Sequence, residues 1–381
     1  MKIHPRYYPA LNRGFHLARF APLLVACDSA PLDLPNQPAV QTERMVVYST
    51  PAACSGTLVA WENLIDTVAE SLRSSDQVES FAVILTDAPQ VYCPDDASGC
   101  AKLKSLPMAA VGRAKSIPHE IAHVVEAQIT EHYTIPAWRE GFAEYWSGRG
   151  GALPRIALED SIVAGDYRGV DYGAMRHFLG WALEVHGADA VSRLFRKSNS
   201  EDEPGARFRQ IEDEFGVPWE DIQRDFWRTA PLYDPGPVEC EEVAGTVDLS
   251  QPLVLDLPLA CDRPDTYGPA PNHLNEGASR LATVRVVEVL EAGSYVVEVD
   301  RGTLLMIPCA PIDEPLAAGF WAAQDAAREE MKPLSSYVRR HTLDLQEGRF
   351  LAWAVAESYE PVTLTFSVYA NRPRSRVAMI E

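Results

Sequence analysis

Two histidines four residues apart constrain this chain more than any other feature. They are His119 and His123, in the run Pro118-His119-Glu120-Ile121-Ala122-His123. Residues i and i+4 lie on the same face of a helix, so both imidazoles can aim at one metal ion. Pro118 is consistent with a helix start, because proline is tolerated in the first turn. Ile121, Val124, Val125 and Ile129 supply an apolar stripe for such a helix to bury. Glu120 lies beside the two histidines, able to reach a metal-bound water without being a ligand. Zinc held by three protein groups keeps a fourth position open for that water and lowers its pKa toward neutrality. Glu120 would then accept the proton of the attacking water and pass it to the leaving amine.

A second segment, Trp138-Arg139-Glu140-Gly141-Phe142-Ala143-Glu144-Tyr145, reads as the helix that brings the third ligand. With the H-E-x-x-H run, it resembles the W-x-E-G-x-A-x-Y signature of gluzincin zinc metallopeptidases, in which the Glu before Gly ligates zinc. The resemblance implies a single catalytic zinc, with His119, His123 and Glu140 as ligands and Glu120 as general base. Two departures stand out. The gap between the second His and the Glu is slightly shorter than in the gluzincin aminopeptidases, and Arg139 stands where those families usually have Asn. Neither removes a ligand, but Arg139 can alter the surroundings of the ligands or the charge of the cleft. Glu144, one turn after Glu140, is expected to partner a zinc-bound His rather than ligate.

Val170 to Leu179 leads into a helix expected to end near Gly187. In the gluzincin aminopeptidases a helix of similar pattern begins with a Tyr that hydrogen-bonds the oxyanion of the tetrahedral intermediate. Tyr172 matches that place, and a phenol aimed at developing negative charge suits the chemistry. The competing reading is a tyrosine that only packs at a helix start. His177 and His186 are expected at the surface or at helix caps, and His132 in the loop between the two ligand helices. For the whole constellation the competing reading is a solvated face of His and Glu side chains.

The net charge of −20 over 381 residues, with no Lys/Arg run, argues against a nucleic-acid partner. The chain has seven cysteines. Cys54, Cys93, Cys100, Cys240, Cys261 and Cys309 make an even set without the close pairing of a structural zinc site, so disulfides in an oxidising compartment are expected. Cys93 and Cys100 can close a tight loop, and the other four allow several connectivities. Cys27 ends a stretch from Phe20 to Ala26 that follows a basic segment with Lys2, Arg6, Arg13 and Arg19. That order is the signal-peptide pattern, and Leu24-Val25-Ala26-Cys27 resembles a bacterial lipobox with Cys27 lipidated. No other stretch reaches the ~18 apolar residues of a membrane span.

Strands are expected at Met45–Tyr48 and Phe81–Leu85, an edge strand near Met108–Val111 and an amphipathic helix from Leu58 to Leu72. After residue 236 the texture becomes alternating, as in Tyr295-Val297-Val299 and Leu364-Phe366-Val368, which indicates antiparallel strands. Val287–Tyr295 and Leu343–Phe350 share a strand–turn–aromatic plan that resembles bacterial pre-peptidase C-terminal domains. A helical insertion is expected at Ala317–Met331. The expected organisation is a signal and lipobox segment at 1–27, a tether at 28–42, an α+β zincin-like catalytic domain at 43–236 and an all-β, jelly-roll-like sandwich at 237–381. Three of the six cysteines fall on each side of residue 236, so full pairing requires at least one disulfide between the domains.

These features lead to a secreted or envelope-anchored zinc metallopeptidase acting on peptides or proteins. His119, His123 and Glu140 would hold the metal, with Glu120 and Tyr172 as catalytic groups and membrane contact only through a lipid at Cys27. The alternative is a non-catalytic envelope-binding lipoprotein on a zincin scaffold.

Overall fold

The computed structural model describes residues 32–371 apart from 36, 50–51, 75–77, 95–96, 131–133, 149–150, 153–157, 200–201, 232, 235, 237–239, 241, 270–279, 312–338 and 357–358. The expected signal segment with Cys27, His132 and the expected insertion at 317–331 lie outside the described residues. None of the described helices is long and apolar enough to cross a membrane.

The chain divides into two compact units, Met1–Ala53 with Leu58–Glu239, and Cys54–Thr57 with Cys240–Glu381. In the first, strands β1 (Val40–Gln41), β2 (Met45–Ser49), β3 (Phe81–Leu85), β4 (Gly99–Lys102) and β5 (Ala109–Gly112) form one sheet in the order β1-β2-β3-β5-β4. The inner strands β2, β3 and β5 pair in parallel, and β1 and β4 close the two edges antiparallel. All five residues of β3 are buried, as expected of a strand covered on both faces. The Met108–Val111 stretch, expected at an edge, is the interior strand β5, and β4 takes the edge instead. Gly99-Cys100-Ala101-Lys102 lacks β-branched residues and apolar alternation, so nothing local marks it as a strand.

Period-two alternation gives each sheet face its own core. Met45, Val47, Phe81, Val83, Leu85 and Ala110 pack with helix α1 (Ser55–Ser71), through Trp61, Leu64, Ile65 and Val68, and with α2 (Ile117–Thr130). On the other face Ala82, Ile84, Ala109 and Val111 are covered by Cys93, Leu32, Leu34 and Tyr92. The first core continues into α3 (Pro136–Trp146), α4 (Leu158–Val163), α5 (Tyr172–Val185), α6 (Gly187–Lys197), α7 (Pro204–Phe215) and α8 (Trp219–Thr229), with Trp138, Phe142, Phe178, Phe195 and Phe226 fully buried. A two-stranded ladder pairs β6 (Gly151–Ala152) with β7 (Tyr233–Asp234).

In the second unit, β8 (Val243–Val247), β10 (Ala282–Val289), β12 (Thr303–Pro308) and β14 (Gly348–Val355) form one four-stranded sheet. β9 (Leu253–Leu259), β11 (Gly293–Val299), β13 (Arg339–Leu345) and β15 (Val362–Ala370) form the other. The described strands therefore alternate between sheets along the chain, and Val247, Leu257, Val287, Tyr295, Met306, Leu345, Phe350 and Phe366, one from each, share one apolar cluster. The two strand–turn–aromatic segments join β10 to β11 and β13 to β14, so each turn crosses between sheets instead of closing a hairpin. One pairing departs from the antiparallel expectation: β8 and β10 run parallel. With β9 lying in the other sheet, the chain re-enters the first sheet in its original direction.

All six expected cysteines pair, as Cys54–Cys261, Cys93–Cys100 and Cys240–Cys309. Cys54 and Cys261 stand on opposite sides of residue 236, as the odd counts required. The bridge is nevertheless internal to the second unit, because Cys54–Thr57 belongs there. That tetrapeptide is held by backbone hydrogen bonds from Cys54 N to Gly268 O (2.8 Å), Ser55 N to Cys261 O (2.9 Å) and Gly56 N to Thr266 O (3.1 Å).

Candidate metal centre

Helix α2 is buried along nearly its whole length, including His119, Glu120, His123 and Glu126. Burying so many ionisable groups is costly unless they are paired or hold a cation. The two histidines present Nε2 to one point, 3.0 Å apart. The Glu140 carboxylate on α3 meets them there, with Oε2 3.2 Å from His119 Nε2 and 3.3 Å from His123 Nε2. Donors around 2.0–2.1 Å from a tetrahedral zinc stand roughly 3.3 Å apart, so the three edges fit such an ion. The group His119, His123 and Glu140 could hold a metal ion.

Glu144, one turn after Glu140, places Oε2 3.2 Å from His119 Nδ1. A carboxylate on the second ring nitrogen fixes tautomer and ring orientation and makes the ligand more basic. Burial disfavours a charged His119, but the Glu140 and Glu144 carboxylates outweigh it and the pKa is pushed up to about 10. His123 moves the other way: burial holds it below its usual value despite Glu140. For Glu140 burial works upward, but His123 and His119 hold it well below the usual carboxylate range.

Two features bring Tyr172 to this group. Asp171 caps α5, accepting a hydrogen bond from Ala174 N at 2.7 Å, and Tyr172 is the first helical residue. Gly141 lets α5 approach α3 closely, since a Cβ there would stand 2.6 Å from Met175 Cβ and 2.8 Å from its carbonyl carbon. The Tyr172 ring stacks on His119 at 6.0 Å, and its phenol hydrogen-bonds Glu140. Burial, then the Glu140 charge, raises the phenol above its ordinary pKa, so it stays a donor at neutral pH.

Arg139 pairs with Glu126, with Nε 3.5 Å from Oε2, and its charge also acts on His123. The other oxygen of Glu126 accepts from Thr134 Oγ1 at 2.6 Å. This buried cluster ties the end of α2 to the start of α3, between the helices that carry the ligands. Two neighbours of the site were not singled out from sequence. Glu126 had no motif to mark it, and Gly99 of β4 lies directly against Glu120. His177, expected at the surface or a cap, is 1% exposed and bonds Pro231 O through Nε2 at 2.9 Å. His186 caps α5 and stacks on Phe215 at 4.1 Å.

No family model and no curated protein matches this chain. Among solved structures, a β-glucosidase from Paenibacillus barengoltzii aligns at 12% identity over 82% of this chain and 39% of its own, with a TM-score of 0.11. The chain thus spans well under half of that enzyme, and a likeness this slight carries no argument about fold or activity.

Proposed function

We propose that the first unit is a zinc-dependent peptidase of gluzincin type, with a zincin-like fold, and that the second is a jelly-roll-like β-sandwich. The observation that carries the reading is the convergence of three donors, from two helices, at mutual distances of 3.0, 3.2 and 3.3 Å inside a buried pocket of carboxylates. Two neutralisable nitrogens and one carboxylate are a borderline-soft donor set of the kind zinc takes in catalytic sites. His119, His123 and Glu140 would hold the ion. When bound it would supply a Lewis acid and a water acidified toward neutrality.

The rest of the chemistry belongs to the chain's own groups. Glu120 takes the proton of the attacking water on its carboxylate and delivers it to the departing amine nitrogen. Tyr172, protonated at neutral pH and beside Glu140, donates a hydrogen bond to the oxygen on which negative charge develops. Glu144 holds the His119 ring from behind. Strand β4 supports a peptide substrate in particular: its outer edge has no strand partner among the described residues, and it runs beside Glu120. An extended peptide can pair with such an edge. Three disulfides support a secreted or envelope location, with Cys27 as the proposed lipid site.

The test joins metal content to hydrolysis. Reconstituted protein is expected to hold about one equivalent of zinc, and Glu120→Gln to keep that zinc while losing peptide-library cleavage by about 10²–10⁴-fold. Activity that survives Glu120→Gln removes Glu120 as base. Zinc below roughly a tenth of an equivalent after reconstitution points instead to a non-catalytic envelope-binding protein.

A further inference from the structure

Strand β4 lies against the first turn of α2. In the β4–β5 ladder Gly99 pairs with Gly112; both back onto Ser116, and Gly99 also onto Glu120. A Cβ on Gly99 would stand 2.8 Å from Glu120 Oε1, 2.9 Å from Ser116 Cβ and 2.9 Å from Val111 O, while one on Gly112 would meet Ser116 Cβ at 3.2 Å. The Glu120 carboxylate therefore rests on the bare Cα of Gly99, at a distance no side chain allows. Ser98 and Ser116 join the start of the strand to the entry of the helix by a 2.9 Å hydroxyl–hydroxyl hydrogen bond, and Arg113 N donates to Ser98 O at 3.1 Å.

The next residue, Cys100, faces the other side of the sheet. There it is bridged to Cys93, which is buried among Ala82, Ile84, Ala109 and Val111. The bridge spans a sequence separation of 7 and fastens this edge strand, which pairs with one strand among the described residues, to the layer behind it. Edge strands with one partner are the part of a sheet most able to move.

We propose that Gly99 is the positioning residue for Glu120, and that the Cys93–Cys100 bridge holds it in place. Glutamate has three rotatable side-chain bonds, and a wall of backbone at van der Waals distance restricts where its carboxylate rests. None of the three atoms nearest a Cβ on Gly99 belongs to His119, His123 or Glu140, so the wall acts on the base and leaves metal uptake alone. The inference rests on Glu120 being the general base.

The experiment compares zinc-reconstituted wild type with Gly99→Ala and Cys93→Ser/Cys100→Ser, each also combined with Glu120→Asp. Displacing a catalytic group by about 1 Å costs on the order of 10²-fold. Gly99→Ala is therefore expected to lower kcat by about 10- to 100-fold, with zinc stoichiometry kept and KM within about threefold. Aspartate is one methylene shorter and withdraws from the added methyl, so the Gly99→Ala loss shrinks by about threefold or more in the Glu120→Asp background. Wild-type kcat in Gly99→Ala, or an equal loss in both backgrounds, overturns the proposal.

The double serine variant adds no atom near Glu120 and tests the bridge if Gly99→Ala fails to fold: a fall in kcat with zinc stoichiometry kept is expected, and wild-type kcat overturns the proposal. A readout free of turnover separates this inference from the reading it rests on. In protein labelled with carboxyl-¹³C glutamate, the Glu120 resonance is assigned by its disappearance in Glu120→Gln. It is expected to move in Gly99→Ala and in the double serine variant, and an unmoved resonance overturns the proposal even if no peptide is cleaved.

Discussion

The surroundings of His177 accept only a neutral imidazole. Its Nε2–H donates to Pro231 O at 2.9 Å, while Nδ1 is buried with no hydrogen-bond partner among the described residues. Protonation would place a proton on that orphaned nitrogen. Burial, then the neighbouring Arg176 charge, lowers the pKa to about 4. The unfolded chain takes up a proton below pH 6.5 that the folded chain refuses until about pH 4. Stability therefore falls as pH drops through that window, by at most about 1.4 kcal/mol per unit from this group. Urea melts from pH 7 to 4 are expected to show this slope in wild type in excess of His177→Gln. Parallel curves would refute it. Nothing local marks His177 as buried, because its acceptor lies 54 residues away. The grouping of His119, His123 and Glu140 was legible for the opposite reason: a metal-binding group needs these residue types, and the helices that carry them obey short-range rules. Gly99 was not, since its importance comes from a helix 21 residues on that touches its missing side chain.

Between elements, the crossing of α3 and α5 decides whether Tyr172 reaches the donors. Gly141 sits inside α3, where helix propensity alone favours alanine by about 1 kcal/mol. Packing reverses the sign. An added Cβ would stand 2.6 Å from Met175 Cβ, with the Met175 carbonyl carbon at 2.8 Å and oxygen at 2.9 Å, so a helix backbone must yield. Overpacking of this kind costs about 1–3 kcal/mol. Gly141→Ala is expected to destabilise by about that amount in chemical denaturation, and a stabilised variant would show that the helices separate freely. Element type was readable from the continuous apolar run of β3 and the helical periodicity of α2, and failed at β4. Four residues with a glycine, a cysteine and a lysine become a strand only because β5 offers its ladder. Tertiary pairing, absent from local sequence, made the edge and displaced the expected edge strand inward.

At the scale of the molecule, the chain order of the units is interrupted by four residues. Cys54–Thr57 follows β1 and β2 of the first unit and precedes its other elements but folds with the second, and α1 begins there. A cut near residue 236 follows from the change of texture, but a tetrapeptide has no texture of its own to betray its allegiance. The Cys54–Cys261 bridge spans a sequence separation of 207, against 7 for Cys93–Cys100. Loop-closure entropy then gives the long bridge about 5 kcal/mol and the short one about 2.5 kcal/mol in a fully unfolded chain. A folded first unit inside the long loop reduces its value, because much of that chain is already ordered when the second unit opens. The remaining effect falls on one place. Tyr359 Oη lies 3.3 Å from both sulfurs, and Thr57 Oγ1 bonds Gly268 O at 3.0 Å, so the bridge and its wrapping belong to the β-rich unit. In the full chain, Cys54→Ser/Cys261→Ser is expected to lower the opening free energy of β9, β11 and β15 by about 2–5 kcal/mol, read by amide hydrogen exchange. Amides of β2 and β3 should hold their protection. Equal loss in both sets would mean that the two units open as one, and that the tetrapeptide is not a local fastening.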